Sequence, residues 1–207
     1  MSFRIEEKSK FHISDYLKLK SLIQKEGGNS LYPKRKISSL YFDNKDLSMF
    51  LESEEGTVPR KKIRIRHYPN NFDEYYLEKK ITSVEGKFKI SEKKTKKEFL
   101  HLKMNGVFDF NYGNCYPLIN VSYYREYFKI NDMRITLDYE LKYETSDNKN
   151  SFLDYETVIL EVKSNKKINE KVFNDDLPLE KLRFSKYCEG MKKLYSKNEY
   201  QRMFSRI

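Results

Sequence analysis

The chain has little of what usually announces a chemistry. It holds two cysteines in 207 residues, Cys115 and Cys188. Two thiols so far apart make neither a disulfide framework nor a zinc quartet, and they read as reduced, partly buried side chains. The three histidines, His12, His67 and His101, are scattered without ligand spacing, and HExxH is absent. With no Walker loop and no GxGxxG, the glycine-loop solutions to phosphate binding are excluded. Any phosphate must then be gripped by side chains. No apolar run approaches the roughly 20 residues of a membrane span. The opening MSFRIEEKSKF lacks the apolar stretch of a signal peptide. These absences lead to the expectation of a soluble, cytoplasmic protein.

Charge and aromatic rings are present in quantity. Lys and Arg number 41 against 31 Asp and Glu, a net charge of +10, and such an excess predicts a polyanionic partner. Hydrophobic residues make up only 38%, but aromatics reach 15%, so Tyr and Phe can still build a core and disorder is not expected. The length suits a single domain over 1–207.

The charges are patterned. Arg64 and Arg66 alternate with Ile63 and Ile65; Glu78 and Lys80 with Leu77 and Ile81; Lys87 and Lys89 with Phe88 and Ile90. Arg134, Asp138 and Glu140 alternate with Ile135, Leu137 and Leu141; Glu161 and Lys163 with Leu160 and Val162. Strand side chains alternate between faces, so each segment offers one charged face and one apolar face. Strands are expected over 3–13, 36–42, 60–68, 74–82, 87–91, 117–130, 133–143 and 155–164. Helices are expected over 15–26, from Asn44 or Asp46 to Glu54, over 92–104, and after Ser185. Lys96-Lys97 and Lys166-Lys167 read as solvated charge runs. Pro69-Asn70-Asn71 reads as a turn.

If the charged faces merely met water, their sign need not be consistent, yet most are Lys or Arg. A buried set of like charges is untenable without counter-charges. A basic interior is therefore sensible only if it is wet and binds a polyanion. About eight antiparallel strands suffice to close a barrel. The expected fold is thus α+β: an eight-stranded antiparallel closed β-barrel with flanking helices, its charged face inward as a tunnel.

The ordered set RIEEKSKF, SLYFDN, RKKIRIR, LEKK, GKFK, YYR, RITLD, LEVK and FSKY resembles the VTC domain. That is the polyphosphate polymerase domain of the vacuolar transporter chaperone complex, within the triphosphate tunnel metalloenzymes that also include the CYTH phosphatases and cyclases. The resemblance implies transfer of the γ-phosphoryl group of ATP to a growing polyphosphate chain with Mn²⁺ or Mg²⁺. It implies Lys10, Arg64, Arg66, Lys80, Arg125, Arg134 and Lys186 as the catalytic set. Lys8, Lys87, Lys89, Tyr123, Lys163 and Ser185 would add phosphate contacts, and Glu161 would be the metal ligand. Either of Lys8 and Lys10, and either of Lys87 and Lys89, can fill the family's lysine positions. The eukaryotic subunits carry an SPX domain and membrane helices that this chain does not show, so any membrane partner would be a separate protein at an inner membrane face.

Two other functions compete. One is a triphosphatase of the same fold, acting on inorganic triphosphate or a nucleoside triphosphate. CYTH hydrolases favour Glu-x-Glu-x-Lys on the opening strand, whereas this strand reads Glu6, Lys8, Lys10, which favours the polymerase. The other is a non-catalytic polyanion binder. Asp138 and Glu161 would repel phosphate in such a module unless a metal intervened. Nucleic acid is not the expected partner, although Tyr123 and Tyr124 beside Arg125 could mimic a base-stacking surface.

Overall fold

The computed structural model describes residues 5–69, 74–165 and 180–195. Phe3, the Asn70-Asn71 part of the expected turn, and Lys166-Lys167 lie outside the described residues. The elements run β1 (Ile5–His12), α1 (Tyr16–Lys25), β2 (Asn29–Asp43), α2 (Ser48–Glu55), β3 (Arg60–His67), β4 (Tyr75–Ser83), β5 (Gly86–Lys94) and α3 (Lys96–Asn105). They continue through β6 (Val107–Asp109), β7 (Gly113–Ile130), β8 (Met133–Thr145), β9 (Ser151–Asp154), β10 (Thr157–Ser164) and α4 (Lys186–Leu194). Among the described residues no helix is long and apolar enough to cross a membrane.

The fold is α+β and antiparallel, as the alternation predicts. The closed eight-stranded barrel is not what forms. Among the described residues there are ten strands, hydrogen-bonded in the open order β1-β10-β8-β7-β2-β3-β4-β5, with β6 on β7 and β9 on β8. The two extra strands are short segments that the alternation is too brief to reveal. As an end of the path, β5 has both faces exposed: Phe88 is 39% and Ile90 58% accessible. The flanking helices leave this apolar face accessible. The lysines of β5 instead blunt an edge that would otherwise invite another strand.

Local boundaries also moved, for identifiable reasons. β5 runs on to Lys94, and α3 starts only after Thr95. The Thr95 hydroxyl accepts from the Glu98 N–H (3.2 Å) while the Glu98 carboxylate accepts from the Thr95 N–H (2.8 Å), a reciprocal cap that fixes where the helix begins. α2 is capped from outside by the end of β2: Asp43 accepts from the N–H groups of Met49 (3.1 Å) and Phe50 (2.9 Å).

The described residues group into two compact units. One draws on 5–36, 123–141, 153–165 and 180–184, the other on 37–69, 74–122, 142–152 and 185–195. In the first, Leu19 and Ile23 of α1 pack on Phe128, Ile135, Leu137, Leu160 and Val162. In the second, Leu40, Phe42, Ile63, Ile65 and Leu77 pack with Val107 and Cys115, covered in part by Phe99 and Leu102 of α3. Each such side chain contributes about 1.5–3 kcal/mol on burial. Both cores sit on the apolar strand faces, which leaves the charged faces to the opposite side of the same strands.

Candidate active site

In the first unit, antiparallel register stacks the charged residues into rows. Lys8 of β1 lies opposite Glu161 of β10, and Glu6 opposite Lys163. On the other flank of β10, Lys163 faces Arg134, Glu161 faces Thr136, and Ile159 faces Asp138. Lys163 Nζ bridges two carboxylates, at 2.6 Å from Glu161 and 3.7 Å from Glu6, while Lys8 Nζ is 3.2 Å from Glu6. Arg125 of β7 forms a two-pronged pair with fully buried Asp138 (2.5 and 2.7 Å) and reaches Glu161 at 3.8 Å. Its guanidinium lies 5.4 Å from the Tyr123 ring.

Burial would push the Glu161 carboxyl up. The Lys163 and Lys8 ammoniums and Arg125 more than reverse this and hold it well below the usual carboxylate range. Burial alone would lower the Arg125 pKa, but Asp138 above all holds it well above the ordinary value. Glu161 and Arg125 are therefore both held in their charged forms, and the cations of the face outnumber its carboxylates. Of the two candidate lysines of β1, Lys8 is half-buried among these groups. Lys10 lies opposite Ile159 and is exposed.

In the second unit a similar array forms across β2 to β5. Arg64 faces Glu78, Lys62 faces Lys80, and Lys80 faces Lys89, so three lysines stand in one row. Glu78 accepts from Arg64 Nε (2.7 Å) and pairs with Lys89 (2.5 Å). Arg64 also donates to the Tyr41 hydroxyl (3.0 Å), and Arg66 to the Ser39 hydroxyl (3.4 Å). Burial would raise the Glu78 carboxyl, but Arg64, Arg66 and Lys89 drive it far below its ordinary value. Lys87 lies opposite Thr82 on the same face and is exposed. Lys62, Ser39 and Tyr41 were not among the expected site residues. Period two from Arg64 would have found Lys62, and SLYFDN carries the other two.

Ser185 caps α4, its hydroxyl accepting from the Cys188 N–H (3.4 Å), and Lys186 begins the helix half-buried.

A model of the VTC domain matches residues 3–195. The chain belongs to the VTC domain family. Two solved structures share its fold: a "putative adenylate cyclase" from Bacillus halodurans, 15% identical with a TM-score of 0.53 over 99% of this chain and 100% of that one, and a "putative adenylate cyclase" from Vibrio parahaemolyticus, 12% identical with a TM-score of 0.52 over 99% and 98%. No curated protein matches.

The structure gives the VTC motifs a physical meaning. In SLYFDN, Leu40 and Phe42 enter the core while Tyr41 and Asp43 turn the other way. The Tyr187 hydroxyl of FSKY donates to Asp43 (2.6 Å), and its ring stacks on Tyr41 at 5.1 Å. Two distant motifs of this VTC domain thus meet behind Arg64.

Tunnel metalloenzymes use a divalent metal. Among the described residues no three His, Cys, Asp or Glu side chains gather into a cage. Mg²⁺ is commonly held by one or two carboxylates with substrate phosphates and water completing the shell. Glu161 is ionised, and the Thr136 hydroxyl opposite it is buried with no hydrogen-bond partner among the described residues. An orphaned hydroxyl beside an ionised carboxylate suits a hard cation carrying bound water or phosphate oxygens. The residues fit such an ion.

Proposed function

We propose that this VTC domain extends inorganic polyphosphate with the γ-phosphoryl group of ATP. The observation that supports this reading most is the composition of the two charged faces, where Lys and Arg are held upright by a minority of ionised carboxylates. Phosphoryl transfer runs through a loose transition state with charge spread over the equatorial oxygens, so positioning and charge neutralisation do most of the work. Arg125, Arg134, Arg64 and Arg66 suit two-pronged grips on phosphate. Lys8, Lys10, Lys80, Lys87, Lys89, Lys163 and Lys186 supply compact charge, and Tyr123 and Ser185 frame the phosphate contacts. Glu161 would hold Mn²⁺ or Mg²⁺, which when bound would supply Lewis-acid stabilisation of developing negative charge. A terminal oxygen of the chain, already anionic, attacks the γ-phosphorus. The bond to the β-phosphate breaks, and ADP leaves with the electron pair. No general base is needed.

The triphosphatase reading keeps one specific support: Glu6 is a second carboxylate tied to Glu161 through Lys163. Against it stands Lys8 at the next position of that face. Incubation with ATP and Mn²⁺, with separate assays for polymer and orthophosphate, decides the matter. ADP with polymeric phosphate is expected, short polyphosphate should shorten any lag, and Glu161→Gln should abolish turnover without unfolding the chain. Stoichiometric orthophosphate without polymer under every primer and metal condition would make the chain a triphosphatase.

A further inference from the structure

The charged face of the first unit does not stop at Arg125. Two residues along β7, Tyr127 lies on the same face, and its ring has the Arg125 guanidinium at 6.0 Å and the Arg35 guanidinium at 5.9 Å. Tyr32 meets Tyr127 edge to face at 5.5 Å, and Arg35 lies 4.9 Å from the Tyr32 ring. Tyr127 is buried, but Tyr32 remains 48% accessible. The next cation along, Arg125, is tied to Asp138. Arg35, by contrast, has no carboxylate partner among the described residues. A tyrosine about half accessible beside an uncompensated guanidinium is not explained by packing. It is what a planar, electron-rich ligand needs: an aromatic surface to stack on and a cation over its π-face.

From these contacts we infer that Tyr32, Arg35 and Tyr127 form the subsite for the base of the nucleoside triphosphate. The inference rests on the reading of Glu161, Lys163 and Arg125 as the phosphate end. From β10 through β8 and β7 to β2 are three inter-strand steps of about 4.8 Å, roughly 14 Å in all, a span in keeping with an extended nucleotide. Stacking is tolerant of base identity because every base has a π-face, so the subsite favours nucleotides over bare phosphate and purines over pyrimidines. It has no base-edge readout that would select adenine alone.

The test compares ATP with inorganic tripolyphosphate, each titrated by calorimetry in the presence of Mn²⁺ against wild type, Tyr32→Ala, Tyr32→Phe and Arg35→Ala. Tyr32→Ala should weaken ATP roughly tenfold or more, in line with alanine substitution at stacking sites, and leave tripolyphosphate unchanged. Tyr32→Phe keeps the ring and should bind ATP like wild type. Arg35→Ala should likewise weaken ATP more than tripolyphosphate. Equal losses for both ligands would mean that the patch carries phosphate, and no loss for either would mean that it carries nothing; both overturn the subsite while leaving the phosphate reading intact. Wild type that binds neither ligand would remove the phosphate reading and the subsite with it. Tyr32 is half exposed, and thermal melts of each variant separate a binding loss from unfolding.

Discussion

Burial on its own would push the Glu78 carboxyl upward; Arg64, Arg66 and Lys89 overwhelm that push and hold it ionised far into acid. A carboxyl depressed in the folded chain stabilises it fully above the unfolded value, here near 4.5, and that contribution fades as pH falls from there toward the folded value. Glu78→Gln should therefore be less stable than wild type at pH 7, and the gap should narrow steadily below about pH 4.5. Urea unfolding at pH 7, 4 and 3 measures it; a gap that stays constant through pH 3 would show that the charge of Glu78 is not what stabilises. Breaking one partner of a buried pair typically costs 3–5 kcal/mol on removal, because a buried charge is left behind. The amide keeps its hydrogen-bonding oxygen, so about 1–3 kcal/mol is the expected loss at neutral pH. At this scale much was legible. Alternation alone put Arg64, Glu78, Lys89, Arg134 and Glu161 on charged faces. It did not reveal Thr136, a small polar residue without a charge to mark it, nor Arg35, whose neighbours Lys34 and Lys36 hide any pattern.

The α4 helix shows how one element can support site residues beyond the one it supplies itself. Its Tyr187 is buried, hydrogen-bonded to Asp43 and stacked on Tyr41, the residue that receives Arg64. Burial first, and then Asp43, push the Tyr187 phenol well above its ordinary pKa, so it stays a donor. Tyr187→Phe keeps the ring but takes a donor from a buried carboxylate, at a cost of about 1–3 kcal/mol. Because Asp43 also caps α2, the loss should appear in both helices together. Hydrogen exchange should show faster amides in α2 and α4 with the apolar core near α3 unchanged; an effect confined to α4 would uncouple the two motifs. Element boundaries were less legible than residue faces. The strand–helix switch at Thr95 depends on a cap formed by two side chains, and β6 and β9 are too short for periodicity to register. The closed barrel failed as an expectation because closure depends on whether the two end strands meet, and strand alternation carries no information on that.

For the whole molecule the net charge of +10 is the governing number. Each phosphate neutralised by a Lys or Arg releases small ions, so affinity for a polyanion falls with salt in proportion to the contacts made. Long polyphosphate should therefore lose affinity with added salt more steeply than tripolyphosphate, as measured by competition at 50 and 200 mM salt; parallel slopes would mean that the long chain touches no more cations than the short one. The tethered carboxylates sharpen this behaviour. On the proposed reading, Glu78 in one unit and Asp138 in the other hold places that phosphate oxygens would take, so a ligand would enter each face by exchange rather than by simple addition. A singly or doubly charged ion cannot easily dislodge a carboxylate anchored by its own strand, whereas a chain bearing many charges can displace several at once. On that reading each face would set a threshold of valence: ordinary orthophosphate and chloride would fall beneath it, and only a molecule that brings charge in series would gain admission.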